Sequence, residues 1–176
     1  MARIDANGPN FEPLAPERAR VWPGQIRRVQ AWQLHHVVWH RLRMWEGRGS
    51  AGLSPAVDEV SAPPDAGLDR VAIGFFVGQD MRGMAELRTL SARWPRKAQV
   101  SVSMETHWRG QGIGTALMAE ALSLARERGI DRLYLTCHAL NRRTQRIAER
   151  FGARIGFEGC ECSLEFRVES QPHVAA

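Results

Sequence analysis

The first third of the chain carries a helical pattern of apolar side chains. Between residues 25 and 46, apolar and aromatic residues recur at steps of three and four, which predicts one broad amphipathic helix ended by Gly47. Residues 47–68 are rich in proline and small side chains and are predicted to be mostly loop, with a short helix starting at Ser54 and Pro55. Because long loops beside core helices often carry substrate specificity, we expect residues 47–53 to influence substrate preference.

After this loop the apolar pattern becomes that of strands. Residues 71–77 form a short apolar run, and residues 81–90 follow it after Gly78, Gln79 and Asp80, which predicts a β-hairpin. Residues 99–104 alternate, with Val100, Val102 and Met104 on one face and serines on the other. The pattern therefore predicts at least three strands before the next helix.

The second half of the chain alternates between strand and helix patterns. Further strands are predicted over residues 131–138 and 160–168, and helices over residues 114–128 and 142–151. A strand, a helix and a second strand between residues 99 and 138 form a crossover, so those two strands are expected to be parallel. The order of elements predicts a mixed α/β domain.

The length and composition fit one folded domain. A chain of 176 residues with 44% hydrophobic side chains can bury one proper core and is short for two. The first residues mix prolines and glycines with charges, which is typical of a mobile arm. We therefore predict an arm over residues 1–24, a domain over residues 25–170 and a tail over residues 171–176.

The distribution of charge limits the classes of binding partner that we expect. The net charge is +5, but the basic residues are dispersed, so the chain is not expected to bind nucleic acid, and a phosphorylated cofactor explains the charge equally well. No stretch approaches the roughly 18 continuous apolar residues of a membrane span, and the N-terminal residues lack the apolar centre of a secretory signal. We expect a cytoplasmic protein with no membrane partner.

Cysteine and histidine spacing gives little reason to expect a metal. Cys137, Cys160 and Cys162 form neither a C-x-x-C pair nor an even set, so they are expected to be reduced, with the last two on one face of a strand. His36 and His40 stand four apart on the predicted first helix, and no third ligand is evident nearby. We expect these histidines to fill an interface rather than bind metal.

A glycine-rich segment lies where a predicted strand meets a predicted helix. Residues 109–114 read Arg-Gly-Gln-Gly-Ile-Gly, and glycines there let a ligand approach the backbone closely. The first turn of the following helix offers unpaired N–H groups and a positive dipole end, which together favour an anion such as phosphate. The segment lacks the lysine of a Walker loop and the G-x-G-x-x-G spacing of a dinucleotide fold. An anion site and a merely tight turn both remain open on the residues alone.

A wider stretch resembles a known family. The sequence QVSVSMETHWRGQGIGTALMAEALSLARERGIDRLYLTCHALN, residues 99–141, is similar to the core of the GNAT superfamily of acyl-CoA-dependent N-acyltransferases, and to a bacterial branch of it. Residues 109–114 match the signature Arg/Gln-x-x-Gly-x-Gly/Ala of that family. The resemblance extends over residues 71–168. It implies an α/β fold, with a mixed, mostly antiparallel sheet flanked by helices and with splayed central parallel strands.

The resemblance also implies a cosubstrate and its contacts. Acetyl-CoA or another acyl-CoA would be held through its pyrophosphate by the glycine-rich segment and through its pantetheine arm by the strand before it, without a metal. The backbone N–H of Met104 would stabilise the oxyanion of acyl transfer. The contacts implied for the cofactor fall on Val102, Ser103, Met104, Arg109, Gly110, Gln111, Gly112, Ile113, Gly114, Thr115 and Asn141.

The acid–base residues customary in the family are missing from this chain. Gln99, Thr136 and Ala148 occupy the three positions where relatives often carry a glutamate, a glutamate and a tyrosine. The remaining candidates for an acid–base group are Glu86, Glu105 and His107, and the last two adjoin the glycine-rich segment, where a surface role is also expected. If Glu86 acts in catalysis, Glu86→Gln should depress turnover and leave cofactor binding intact.

The sequence therefore leads to two hypotheses. The first is an N-acyltransferase that moves acetyl from acetyl-CoA to a primary amine, of a small molecule or a peptide, by direct attack in a ternary complex. The second is a non-catalytic acyl-CoA-binding sensor or regulatory module, which the substitutions at the three acid–base positions favour. The tryptophan-rich first helix and the apolar face of the last strand could support a homodimer.

Overall fold

The computed structural model describes residues 22–46 and 70–168, and these residues form a single sheet with helices on its two faces. The strands are β1 (Gln25–Arg28), β2 (Arg70–Val77), β3 (Asp80–Ser91), β4 (Lys97–Met104), β5 (Arg132–His138), β6 (Arg154–Glu158) and β7 (Glu161–Arg167). The helices are α1 (Leu34–Glu46), α2 (Ile113–Glu127) and α3 (Arg142–Arg150). The predicted loop and short helix over residues 47–68 lie outside the described residues, as do most of the predicted arm and the predicted tail.

The sheet is mostly antiparallel with one parallel pair at its centre. Its strand order is β1-β2-β3-β4-β5-β7-β6. Within the described part of the chain, β4 and β5 form the parallel pair and every other neighbouring pair is antiparallel. The crossover between them runs through α2, as the strand–helix–strand order predicts. The predicted α/β fold class is confirmed.

The central strands separate soon after they meet. β4 and β5 pair at three positions, from Lys97 opposite Arg132 to Gln99 opposite Tyr134. β4 nevertheless continues to Met104 and β5 to His138. The second halves of the two strands therefore diverge and leave a gap in the middle of the sheet.

The two faces of the sheet are covered by different helices. On one face, α2 packs its apolar stripe on the strands, and Phe75, Leu117 and Leu133 are fully buried in the main core. On the other face, α1 covers a smaller core in which Val37 packs near Phe76. Alternation along β2 and β3 supplies apolar side chains to both cores, whereas β4 supplies them to the main core only.

The predicted first helix begins too early. Gln25–Arg28 is an edge strand that pairs with β2, and the backbone N–H of Val29 donates to the Ala72 carbonyl at 2.8 Å. The helix proper starts at Leu34, after a 3-10 turn over Ala31–Gln33. The strand Gln25–Arg28 has a single apolar residue, Ile26, so it shows no alternation of its own, and the pairing with β2 makes it a strand.

The end of the sheet also differs from the prediction. β6 was not foreseen, because Arg154–Glu158 is mostly exposed and carries no clear alternation. β7 begins at Glu161, so Cys160 lies in the preceding turn and is exposed, whereas Cys162 is buried. The expectation that these two cysteines share one face of a strand is therefore wrong.

Candidate functional site

The gap between β4 and β5 opens into a large cleft. The cleft has a volume of about 2160 Å³, and its walls come from β4, the segment before α2, the first turn of α2 and one side of α3. Pockets for a single small ligand typically measure about 300–1,000 Å³. The cleft therefore has room for two reactants at once. Of the predicted cofactor contacts, it is lined by Val102, Ser103, Met104, Arg109, Gly110, Gly112, Gly114, Thr115 and Asn141.

The glycine loop, residues 109–112, turns the chain from β4 into α2. Gly110 and Gly112 have φ values of 80° and 85°, in the left-handed region that favours glycine. The first intrahelical bond of α2 runs from the Ala116 N–H to the Gly112 carbonyl at 3.1 Å, so the N–H groups of residues 113–115 precede it. Gly114 and Thr115, which carry two of these N–H groups, line the cleft, so this end of α2 and its positive dipole are suited to an anion.

An aromatic cluster supports the glycine loop from behind. The indole N–H of Trp22 donates to the Gln111 carbonyl at 3.1 Å. The Trp22 and Trp108 rings pack edge-on against Phe75, with centroid distances of 6.3 and 5.6 Å. Trp22, which falls in the predicted arm, is therefore part of the folded domain.

The side chains of three residues predicted to contact the cofactor are engaged elsewhere in the protein. The Arg109 Nε donates to the Met104 carbonyl at 2.9 Å, which ties the glycine loop to the end of β4. The Gln111 side chain donates to the His107 carbonyl at 3.2 Å, and Ile113 is fully buried in the main core. Among the described residues, Gln111 and Ile113 are not part of the cleft wall, so these two predicted contacts are not brought to the cleft.

The backbone of Met104 faces the gap. The N–H of Glu105 donates to the Arg82 carbonyl at 3.1 Å, while Met104 stands opposite Gly83 in the register of β3 and β4. In an antiparallel ladder, hydrogen-bonded and non-hydrogen-bonded pairs alternate, so Met104 and Gly83 form a non-hydrogen-bonded pair. The N–H and carbonyl of Met104 therefore point away from β3, toward the side on which β5 has diverged.

The α3 helix brings positive charge to the opposite wall. Asn141 caps this helix, because its Oδ1 accepts the Thr144 N–H at 3.3 Å, and its side chain also lines the cleft. Arg143, Arg146 and Arg150 lie along the same wall. Together with the N-terminus of α2, these guanidinium groups make the cleft suited to a polyanion.

The two candidate carboxylates are held by arginines. Glu86 pairs with Arg41 and, at 3.8 Å, with Arg70, and in the part of the chain that the structure covers it is not a cleft residue. Glu105 lines the cleft and accepts from the Arg43 Nε at 2.7 Å and from Arg82 at 3.2 Å.

His40 is a polar neighbour of the cleft, although the sequence pattern predicts only that it fills an interface together with His36. Its side chain is fully buried, with Nε2 at 2.9 Å from the Ser103 Oγ and Nδ1 at 3.7 Å from the Glu105 Oε1. Burial lowers the pKa of this imidazole below its ordinary range, against the smaller raising effect of Glu105. The sequence signal was a histidine on the apolar side of α1, which is also the pattern of a packed core histidine.

The three acid–base positions that depart from the family pattern are occupied without ionisable groups. Gln99 accepts a hydrogen bond from Arg88 at 2.9 Å, Ala148 is buried against the core, and Thr136 is exposed on β5. His107 is exposed beside the glycine loop, with its ring 5.9 Å from Trp108.

The remaining chemistry-bearing groups form no second centre. Over residues 22–46 and 70–168, His, Cys, Asp and Glu side chains do not come together in a group of three or more that could hold a metal ion. Cys137, Cys160 and Cys162 are free thiols, and burial beside Cys162 raises the pKa of Cys137 to about 11. In the same described part, the helices are all too short or too polar to cross a membrane.

Fold and cleft together define an α/β protein with a glycine loop at a helix N-terminus beside a split sheet. The chain belongs to the acetyltransferase (GNAT) family, whose family model matches residues 39–153. Membership places it among acyl-CoA-dependent acetyltransferases. No curated protein sequence is significantly similar to the chain.

Solved structures share the fold at low sequence identity. The GNAT domain of S. lividans PAT is 20% identical with a TM-score of 0.64, over 82% of this chain and 90% of that one. The PaiA N-acetyltransferase of Thermoplasma acidophilum, solved with coenzyme A, is 18% identical with a TM-score of 0.63, over 82% of this chain and 98% of that one. The ribosomal-protein-S18-alanine N-acetyltransferase of Escherichia coli is 14% identical with a TM-score of 0.61, over 87% and 99%.

Proposed function

We propose that this protein transfers an acetyl group from acetyl-CoA to a primary amine, by direct attack of the amine in a ternary complex. The observation that carries the proposal is the position of the glycine loop at one end of the β4–β5 gap. An anion held by the loop and an extended arm lying along β4 would then belong to one continuous ligand. The acceptor would be the amine of a small molecule or a peptide.

Charge and backbone geometry support the binding of acetyl-CoA in one half of the cleft. The N–H groups at the start of α2 would bind the pyrophosphate of acetyl-CoA, and Arg143 and Arg146 would add attraction for its phosphates. The backbone of Val102 to Met104 would pair with the amides of the pantetheine arm as a neighbouring strand does. Coenzyme A bound to the structurally similar PaiA N-acetyltransferase supports the choice of ligand.

The backbone of Met104 supports acyl transfer in the gap between β4 and β5. Its N–H points into the gap, where it would donate to the acyl oxygen as negative charge develops there. Arg109 would help to hold that donor in place, because it bonds to the carbonyl of the same residue at 2.9 Å. A backbone donor of this kind does not depend on the identity of the side chain.

Two measurements on the full chain test the proposal. Acetyl-CoA at about a hundred times its Kd should stabilise the folded protein by about 2.7 kcal/mol, seen as a rise in Tm. Release of free thiol from acetyl-CoA should accelerate with at least one member of a panel of amines. No stabilisation by any acyl-CoA would refute the proposed binding, whatever the amine.

The second candidate is a non-catalytic acyl-CoA sensor. The absence of ionisable side chains at Gln99, Thr136 and Ala148 favours it, because these positions often carry acid–base groups in the family. Stabilisation by acetyl-CoA without thiol release for any amine would decide for the sensor. Thiol release above the rate of hydrolysis would decide against it.

A further inference from the structure

Helix α1 brings a buried histidine against the strand that forms the cleft wall. The Nε2 of His40 lies 2.9 Å from the Ser103 Oγ, although the two residues are 63 positions apart. Ser103 is half-buried and lines the cleft, whereas His40 is fully buried behind it. A proton can therefore pass between His40 and the cleft through the Ser103 hydroxyl.

The other ring nitrogen of His40 faces a carboxylate. Nδ1 is buried and has no hydrogen-bond partner among the described residues, and the Glu105 Oε1 lies 3.7 Å from it. A carboxylate at this position favours the tautomer with its proton on Nδ1. In that tautomer, the lone pair on Nε2 faces the Ser103 hydroxyl.

Two arginines hold the Glu105 carboxylate in place next to the His40 ring. Glu105 forms ion pairs with Arg43 of α1 at 2.7 Å and with Arg82 of β3 at 3.2 Å. Glu105 and the Arg43 guanidinium are the charged groups that act on His40, together with the carbonyl of Met81. Because Glu105 pairs with two arginines, its carboxylate is held in position beside the His40 ring.

We propose that Ser103 and His40 form a proton relay that deprotonates the acceptor amine during acyl transfer. The inference rests on the proposed function. As the amine nitrogen bonds to the acyl carbon, its proton passes to the Ser103 Oγ and the hydroxyl proton of Ser103 passes to the His40 Nε2. The C–S bond breaks with its electron pair on sulfur, and the same route returns one proton to the thiolate. The products are an amide and a free thiol.

The relay has the position that acyl transfer requires. Ser103 immediately precedes Met104, so the hydroxyl and the proposed oxyanion donor lie at the same end of β4. Their side chains point to opposite faces of the sheet, with Ser103 on the face covered by α1. The relay would thus meet the amine on the α1 face, while the acyl oxygen is held in the gap. It supplies the proton transfer that Gln99, Thr136 and Ala148 cannot.

The kinetic test uses matched serine variants of the full chain. Ser103→Ala should lower kcat about 100- to 10,000-fold, as expected for loss of acid–base catalysis, with an unchanged Kd for acetyl-CoA. Ser103→Thr keeps the hydroxyl and should restore most of the activity. Ser101→Ala is the control, because Ser101 lies two residues earlier on the same face of β4 and is exposed. Unchanged kcat in Ser103→Ala, or acetylated Ser103 in the mass spectrum, would overturn the relay.

The pH dependence of kcat gives a second kinetic readout. In the wild-type protein kcat should fall as the pH drops through the pKa of His40, because the protonated ring cannot accept a proton. This acidic limb should disappear in His40→Gln. An acidic limb that persists unchanged in His40→Gln would contradict the proposal.

A spectroscopic measurement is independent of any acceptor. In the ¹⁵N spectrum of the histidine side chains, His40 at pH 7 should be neutral with its proton on Nδ1. A ring protonated at both nitrogens, or protonated on Nε2 alone, would overturn the relay. Failure of every amine to release thiol from the wild-type protein would instead overturn the proposed function, so the two failures are distinguishable.

Discussion

The Trp22 indole donates its N–H to the Gln111 carbonyl at 3.1 Å and thereby links the residues before β1 to the glycine loop. The two residues are 89 positions apart in the sequence. The bond fixes one peptide group of a loop whose neighbouring N–H groups form the proposed anion site. The shape of that site thus depends on a residue far from it in sequence.

Removing this bond should weaken cofactor binding. Trp22→Phe keeps an aromatic ring against Phe75 but lacks the donor, so about 0.5–1.5 kcal/mol of loop stabilisation is lost. We expect the Kd for acetyl-CoA to rise about threefold to tenfold in isothermal titration. Trp32→Phe is the control, since Trp32 is 75% exposed. Equal Kd values for the two variants would contradict the role of the bond.

The left-handed backbone at Gly110 should matter for binding more than for folding. A Cβ at Gly110 meets no atom within 4 Å, so Gly110→Ala introduces backbone strain alone, of about 1–2 kcal/mol. Gly159→Ala is a matched control, because Gly159 has a φ of 57° and equally open surroundings in the turn before β7. The Tm of both variants should fall by a similar amount, but only Gly110→Ala should raise the Kd for acetyl-CoA. A Kd raised equally by both would show an indirect effect.

The arginines of α3 should act through charge. Arg146→Gln should raise the Kd for acetyl-CoA by roughly three- to tenfold at low salt, with a smaller difference at high salt because of screening. Arg126→Gln makes the same change in net charge at the far end of α2, where the side chain is exposed. If Arg126→Gln had the same effect, overall charge rather than the cleft would be responsible.

Glu86 should prove to be a structural residue. Its carboxylate pairs with Arg41 and Arg70 and is only 15% exposed, so Glu86→Gln should lower the free energy of unfolding by about 1.5–3 kcal/mol. The Kd for acetyl-CoA should stay the same. Urea denaturation and titration measure the two quantities. A fall in kcat at a temperature where the variant is fully folded would restore Glu86 as a catalytic candidate.

The buried ring of His40 should make stability depend on pH. The folded-state pKa is lowered, so below the ordinary value of about 6.5 the unfolded chain takes up a proton that the folded protein does not. The free energy of unfolding should therefore fall as the pH drops from about 6.5 toward 5. This slope should be smaller in His40→Gln than in His36→Gln, because His36 is partly exposed. Equal slopes in the two variants would contradict a neutral, buried His40.

The sequence predicted the parts of the fold that carry strong local signals. The alternation of residues 99–104, the apolar stripe of α2 and the glycines between them define the parallel crossover without reference to distant residues. Gln25–Arg28 could not be assigned in this way, because a four-residue segment becomes a strand only through its pairing with β2. β6 was missed for the same reason, since it is an exposed edge strand of the sheet.

The candidate site likewise has a part that the sequence predicts and a part that it does not. The glycine loop is a contiguous motif, and most of the residues predicted from it line the cleft. The contact between His40 and Ser103 joins α1 to β4 across 63 positions. The sequence pattern marks His40 only as one of two histidines on α1 and Ser103 only as a cofactor contact, and it gives no sign that the two side chains meet. The ion pairs of Glu105 with Arg43 and Arg82 likewise come from three separate elements. Such contacts depend on tertiary packing, which a single sequence does not reveal.

The separation of β4 and β5 after Gln99 gives the protein a strand edge in the interior of its sheet. Strand edges on the outside of a sheet can recruit other chains, which is a common route to aggregation. Here the backbone of β4 beyond Gln99 is unpaired on the side of β5, and it lies between β3 on one side and the diverging β5 on the other. We therefore expect this interior edge to pair with one extended molecule that carries amide groups, rather than with the edge strand of another protein molecule.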